Sequence, residues 1–288
     1  MTEAEWLTCD DPTPMLEVVR SNPRQRRPRL FCCACIRHTP LGDGRKVWDL
    51  LTDPRSRRAV ELAELYADDL ATEDEMDAAR HLAHRLADEL RDVALHAAAS
   101  PGRTDVAFTA FSIRNAVVTV VNRGAPTTKY DDGYAAQRKI CEFFRDVYGP
   151  LPFRSLPFDF GWASSTVMSL AEGIYQERAF DRLPILADAL EDVGCSNQEL
   201  LAHCRGPGEH VRGCWLLDLV LGRELQPHDL QIDLVRLADG RRLMRAVHCP
   251  TGIFTEGIRT HEERLWFLKE RLIKDLARKV WSEMRGAG

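Results

Sequence analysis

No apolar run in these 288 residues approaches the ~20 consecutive residues that a membrane-spanning helix requires, so no membrane partner is expected. The opening MTEAEWLTCDDPTPML carries acidic residues where a secretion signal has a basic start and an apolar stretch, and the expected location is the cytoplasm. Positive charge is not in excess either. A net charge of −5 excludes a protein that coats nucleic acid or an anionic membrane with its whole surface, while leaving room for a local basic patch. Disulfide staples are not needed in a chain of this length. The nine cysteines, an odd number scattered from Cys9 to Cys249, are expected as reduced thiols, buried or metal-bound. No P-loop, GxGxxG, HExxH or paired-carboxylate pattern stands out, and no nucleophile with a general base can be named. An enzymatic reading therefore starts without a mechanism.

What is present is amphipathic helix. From Glu73 to about Ala99, Met76, Ala79, Ala83, Leu86, Leu90, Val93 and Ala97 recur at spacings of three and four, and Thr72 with Glu75 forms a capping box at the start. The preceding DPRSRRAVELAELYADDL puts Val60, Ala63, Tyr66 and Leu70 on one face, which predicts an antiparallel hairpin with that helix. AFTAFSIRNAVVTVV reads as helix from its neighbours, although its β-branched residues also suit a strand. YAAQRKICEFFRDVYG predicts a helix closed by Gly149, and PLPFRSLPFDFGW an irregular connector whose Phe153, Phe158, Phe160 and Trp162 want burial. Three short helices should follow: one capped by Ser164 or Ser165, one ending at Gly194, and one with Ser196 and Glu199 as its capping box and Gly206 as its stop. EHVRGCWLLDLVLG should make the next, ending at Gly222.

Beyond RELQPHD the periodicity changes. IDLVRLADGRRLMRAVHC forms two β-rich runs around Asp239-Gly240, a hairpin signal; IFTEG supplies a third strand, and a last helix carries Leu265, Leu268, Leu272, Leu276, Val280 and Met284 on one side. The fold class expected is mainly α, stacked helical hairpins with a small C-terminal ββ(β)α unit (α+β), with a helical domain over 1–225 and the small domain over 229–288. From Asp229 onward there are 12 Lys+Arg against 9 Asp+Glu, a net +3 that leaves −8 for the rest.

The segment ERAFDRLPILADALEDVGCSNQELLAHCRGPGEHVRGCWLLDLVLG, with MTEAEWL, DPTPML, RLFCCACIR and FFRDVYGPLPFRSL, resembles a large family of helical proteins abundant in planctomycete bacteria, over roughly Met1 to Glu224. That resemblance implies no particular activity. ILADALEDVGCSNQELLAHCR also resembles a short helical unit found beside leucine-rich-type repeats in the same bacteria, which implies an interaction scaffold. MRAVHCPTGIFTEG followed by a basic helix is similar to a strand–turn–strand–helix piece of release-factor-like proteins, which hydrolyse peptidyl-tRNA with a Gly-Gly-Gln tripeptide. The tripeptide is missing here, so the similarity implies an RNA-facing or ribosome-associated heritage and not the hydrolysis.

HCRGPGEHVRGCW concentrates the chemistry-bearing residues. His203, Cys204, His210 and Cys214, with Cys195 nearby, are zinc-ligand types, and on the predicted helix His210 and Cys214 share a face. Against a zinc site, His203 and Cys204 are adjacent and no CxxC frames it. A second reading places an anion at the Gly206-Pro207-Gly208 turn before a helix start, with Arg205 and Arg212 adding charge and Glu209 opposing it. The preferred reading is a corner between helices in which Trp215 is buried and Arg212 or His210 pairs with a carboxylate such as Asp218; any external ligand would meet His210, Arg212, Trp215 and Asp218. Cys32 and Cys35 in RLFCCACIRH have CxxC spacing but sit among apolar residues, which favours buried structure over metal or redox use. His81, His84 and Asp88, extended by Asp77, make a helical row that reads as a solvated face before it reads as a metal site.

RSNPRQRRPRLF places Arg24, Arg26 and Arg27 close together, and with Arg241, Arg242 and Lys274 of the C-terminal unit they are the candidate phosphate contacts of an RNA or DNA partner. Three functional expectations follow. The first is a non-enzymatic helical interaction or adaptor protein with a protein partner, the second a nucleic-acid or ribonucleoprotein component, and the third a metal-binding enzyme centred on 195–218.

Overall fold

The computed structural model describes residues 1–20, 26–41, 44–90, 131–223, 225–260 and 265–286. Among the described residues there are eleven α-helices and one three-stranded antiparallel sheet close to the C-terminus, followed by the last helix, so the fold is mainly α with a small β element. AFTAFSIRNAVVTVV and the end of the stripe at Val93 and Ala97 lie outside the described residues. Packing divides the chain into two compact units, Met1–Gly149 with Gly208–Cys214, and Pro150–Pro207 with Trp215–Gly288.

The first unit begins with α1 (Glu3–Thr8) and α2 (Pro12–Arg20). Thr2 and Glu5 cap α1 reciprocally: the Thr2 N–H donates to Glu5 Oε2 at 2.7 Å and the Glu5 N–H to Thr2 Oγ1 at 3.3 Å. Then come α3 (Arg26–His38), α4 (Pro54–Ala67), α5 (Glu73–Leu90) and α6 (Asp131–Tyr148). α3 is the central strut, buried continuously from Arg27 to Ile36 and packed against α4 and α6. FCCACI therefore fills core volume with small thiols, as its setting suggested, and Phe31 stacks on Phe144 of α6 at 3.9 Å with Trp6 edge-on to the same ring at 5.9 Å. Each such ring contributes about 1.5–3 kcal/mol by leaving water.

α4 and α5 pack together as the expected hairpin. Asp53 caps α4 through the Arg55 N–H at 2.8 Å with Pro54 at the first helical position, and Thr72 and Glu75 form the capping box of α5, at 2.8 and 3.2 Å. One member of the hairpin stripe departs from expectation. α4 stops at Ala67, the chain turns through Asp69 at φ 59°, and Leu70 beyond the turn is exposed. Gly149, at φ 53°, ends α6 where the sequence placed the stop.

The second unit carries α7 (Ser165–Glu177), α8 (Leu183–Asp192), α9 (Gln198–Arg205) and α10 (Trp215–Leu221), then β1 (Leu230–Arg236), β2 (Arg242–His248), β3 (Phe254–Ile258) and α11 (Leu265–Gly286). Ser164 caps α7, accepting the Val167 N–H at 3.3 Å. The cap of α9 is Asn197 and not Ser196: Asn197 Oδ1 accepts from Glu199 and Leu200 N–H, which leaves the Glu199 carboxylate to pair with Arg154 at 2.7 Å. The proline-rich connector is held by Gln226, whose amide bonds both backbone groups of Leu156, so a side chain substitutes for a strand neighbour along 150–162. Phe153, Phe158 and Trp162 are half-buried, Phe158 edge-on to Trp162 at 5.7 Å.

β1 and β2 are joined through Ala238–Gly240, with Gly240 at φ 84° as the hairpin signal requires, and β3 pairs with β2. α11 covers one face of this sheet, burying Met244, Ala246, Leu268, Leu272, Leu276 and Val280 in one cluster, with the Thr255 hydroxyl donating to the Leu272 carbonyl at 2.8 Å. Gly222, at φ 63°, closes α10 beneath Trp281; a Cβ there would lie 1.6 Å from the indole. Only glycine permits that approach.

Candidate functional site

In the first unit the residues that drew attention in sequence sit on the Gly208–Cys214 loop. A helix was expected to begin at Glu209. The helix begins at Trp215 instead, because the loop turns through Gly213 at φ 94°, where a Cβ would come within 2.9 Å of Leu30, and the Cys214 N–H bonds back to the Val211 carbonyl at 2.9 Å. His210 and Cys214 therefore share no helix face. The loop brings them together by a different route, with the His210 Nδ1 3.9 Å from the Cys214 Sγ.

Three carboxylates anchor the loop. Asp146 on α6 accepts the Val211 N–H on Oδ2 at 2.8 Å and meets His210 Nδ1 through Oδ1 at 2.6 Å. Asp68, whose side chain is fully buried at the end of α4, takes Arg212 (Nε 2.9 Å, Nη2 2.5 Å) on Oδ2 and Arg26 (Nε 3.2 Å, Nη2 2.8 Å) on Oδ1. Glu209 lies between His38 at 2.8 Å, Lys139 at 3.0 Å and Lys46 at 3.4 Å. Burial opposes the Glu209 charge, but the Lys139 hydrogen bond and the neighbouring cations outweigh it and hold the carboxyl below its usual range. Burial is also what lowers the His38 imidazole below its ordinary value, with Glu209 opposing.

A pairing of His210 and of Arg212 with a carboxylate thus exists within the first unit, through Asp146 and Asp68. Both were missed in the sequence. Asp146 had a signal: it interrupts the FFRDVY stretch on a side shared with Phe143, and an aspartate beside buried aromatics needs a partner. The ligand-type atoms of Asp146, His210 and Cys214 lie within 4.8 Å of one another.

The other expected metal-site members belong to the second unit. His203 on α9 has its ring 4.6 Å from that of Trp215, and Cys204 is buried, its thiol pushed up to about 12 by burial. Cys195 is buried as well. Trp215 and Asp218 are interior residues of α10. The anion reading loses its parts, since Arg205 is taken by Asp188 and Glu191 at 2.6 Å each, Arg212 by Asp68, and the Val211 N–H by Asp146. The CxxC thiols sit deep in α3, where burial pushes the Cys33 and Cys35 thiols well up, against any redox use. His81 is exposed; the side chains of His84 and Asp88 lie outside the described residues.

Of the phosphate-contact candidates, Arg24 lies outside the described residues, Arg26 is held by Asp68, and Arg27 is buried with Nη1 donating to the Val147 carbonyl at 3.3 Å. Arg241 pairs with Asp239 at 2.6 Å, while Arg242 and Lys274 are exposed.

The second unit also presents a surface that the sequence reading did not single out. Cross-strand register gives the sheet face opposite α11 three rows: Val235–Leu243–Ile258, Asp233–Arg245–Glu256, and Gln231–Val247–Phe254. Val235 is 48% exposed, Phe254 47% and Ile258 37%, and the charged row between them is joined by the Arg245–Glu256 pair at 2.8 Å. Alternation in RLMRAVH and FTEGI carried the signal, with hydrophobic residues at both odd and even positions. Among the described residues no helix is long and apolar enough to cross a membrane. Comparisons of the chain with protein-family models, with curated proteins and with solved structures find no match.

Proposed function

We propose that this chain is a non-enzymatic interaction protein, an adaptor that receives an amphipathic helix of a protein partner on the open face of its C-terminal sheet. The observation that carries the reading is the pair of apolar rows, Val235–Leu243–Ile258 and Val247–Phe254, on the face of the sheet turned away from α11, the helix of its own unit that packs on it. A sheet with apolar residues on both faces is completed by a helix on each, and α11 supplies only one. The central Arg245–Glu256 pair would give such a helix its register, through polar residues placed between its apolar positions. Nine cysteines outside any disulfide suit a reducing compartment, and the cytoplasm is the location in this reading. The nucleic-acid alternative draws less support, because Arg26 and Arg27 are already engaged with Asp68 and the Val147 carbonyl.

The test compares proteins retained by the wild-type chain and by a Val235→Lys/Phe254→Arg variant, after matched circular dichroism and melting show both to be folded. A partner should be retained by the wild type and by Arg278→Ala on the exposed side of α11, and lost at least tenfold by the double variant. Equal retention by all three overturns the reading.

A further inference from the structure

We infer that the first unit binds one zinc-class divalent transition metal through Asp146 on α6 and His210 and Cys214 on the 208–214 loop. This inference uses no part of the sheet face and stands or falls apart from the adaptor reading.

The donors are one carboxylate oxygen, one imidazole nitrogen and one sulfur, within 4.8 Å of one another. That mixture suits zinc or cobalt(II), whereas calcium and magnesium select oxygen donors alone. All three residues are buried: Cys214 fully, Asp146 to 5% exposure and His210 to 9%. A carboxylate beside a histidine is an ordinary structural pair, but here a thiol joins it as a third donor, its sulfur 3.9 Å from the nitrogen that meets Asp146 at 2.6 Å. With Cys214 deprotonated, the carboxylate and thiolate sum to two negative charges around a neutral imidazole. A divalent cation cancels that charge, which would otherwise be costly in the interior.

The support around the donors is of the kind metal ligands use. Asp146 keeps its second oxygen on the Val211 N–H, which fixes the carboxylate against the loop, while Arg212 on Asp68 and Gly213 against Leu30 fix the backbone on both sides of the donors. Nothing in this support has to be built when the ion arrives. Uptake displaces the Cys214 proton, so affinity falls as pH falls.

The experiment titrates the full-length, reduced, chelator-stripped protein with cobalt(II). One equivalent should bind with a thiolate-to-cobalt charge-transfer band, which zinc then bleaches. Cys214→Ser should abolish the band and Asp146→Asn or His210→Ala should weaken binding at least tenfold, while Cys204→Ser keeps both. Should these variants fail to fold, X-ray absorption of the zinc-loaded wild type reads the site directly: one sulfur among nitrogen and oxygen donors is expected. No stoichiometric binding, a band unchanged in Cys214→Ser, or a shell without sulfur overturns the inference.

Discussion

Replacing Asp68 by alanine should be among the most damaging single changes to the first unit. The carboxylate is fully buried and is shared by two guanidiniums whose side chains are each 10% exposed, Arg26 at 2.8 Å and Arg212 at 2.5 Å. Deleting it leaves two buried cations facing each other across the space it occupied. Removing one partner of a buried pair costs ~3–5 kcal/mol, and the residual access to water at both arginines favours the lower part of that range, about 3–4 kcal/mol. At roughly 2–4 °C per kcal/mol for a unit of this size, the melting temperature should fall by about 6–16 °C. Thermal and urea unfolding followed by circular dichroism measure it. Arg212→Ala in the Asp68→Ala background should cost far less than alone, because it removes one of the stranded charges, and the coupling in the double-mutant cycle should reach about 1–3 kcal/mol. Raising the salt to about 0.5 M should not rescue the variant, since buried charges are weakly screened. A loss under about 1 kcal/mol, or additive single effects, would refute the account of Asp68 as the junction of α3, α4 and the loop.

Three further outcomes are expected. Gly222→Ala places a Cβ 1.6 Å from the Trp281 indole at φ 63°, so it should destabilise the second unit by about 3 kcal/mol or more in urea unfolding, with partial recovery on adding Trp281→Leu; an unchanged midpoint contradicts the packing. A thiol reagent should modify Cys249 first and Cys9 more slowly in the native protein. The seven buried thiols, among them Cys141 and Cys204, pushed up to about 12, should react only on unfolding, and fast native reaction of several would count against their burial. Stability should also decline on acidification in two steps. His38 and Glu209 both titrate below their ordinary values of 6.5 and 4.5 in the fold, so the unfolded chain takes up their protons first; their contributions are complete above those values and are lost as pH falls through each folded pKa. A melting temperature that rises between pH 7 and 5.5 would contradict the sign for His38.

Regular elements were legible because their signals are local. The Thr72–Glu75 box, the Asp239-Gly240 hairpin and the Leu268-to-Val280 stripe each occupy one stretch of chain, and each forms as its residues prescribe. The loop was less legible. EHVRGCW has helix-compatible spacing, but its conformation is decided by Leu30, Asp68 and Asp146, which lie far away in sequence and exert no influence on local propensity. Ser196 lost the α9 cap to Asn197 by one residue, a difference set by how the connector meets the helix, where Asn197 also bonds the Pro157 carbonyl. The open sheet face escaped notice for the opposite reason: runs of alternating hydrophobics mark a strand but not which side a helix will cover.

The seven residues Gly208–Cys214 belong to a unit whose other parts end at Gly149. A ribosome must add all of Pro150–Pro207 before it delivers them, a delay of several seconds at about 5–20 residues per second. Throughout that interval Asp68 and Asp146 lack their late partners, and the closures still to be made span 64 residues for His210 with Asp146 and 144 for Arg212 with Asp68. A nascent chain halted in this window, or a fragment cut at residue 149, carries the helices of the first unit with Asp68 holding Arg26 but still short of Arg212, and Asp146 still short of the loop, the state in which a chaperone or a protease would meet it.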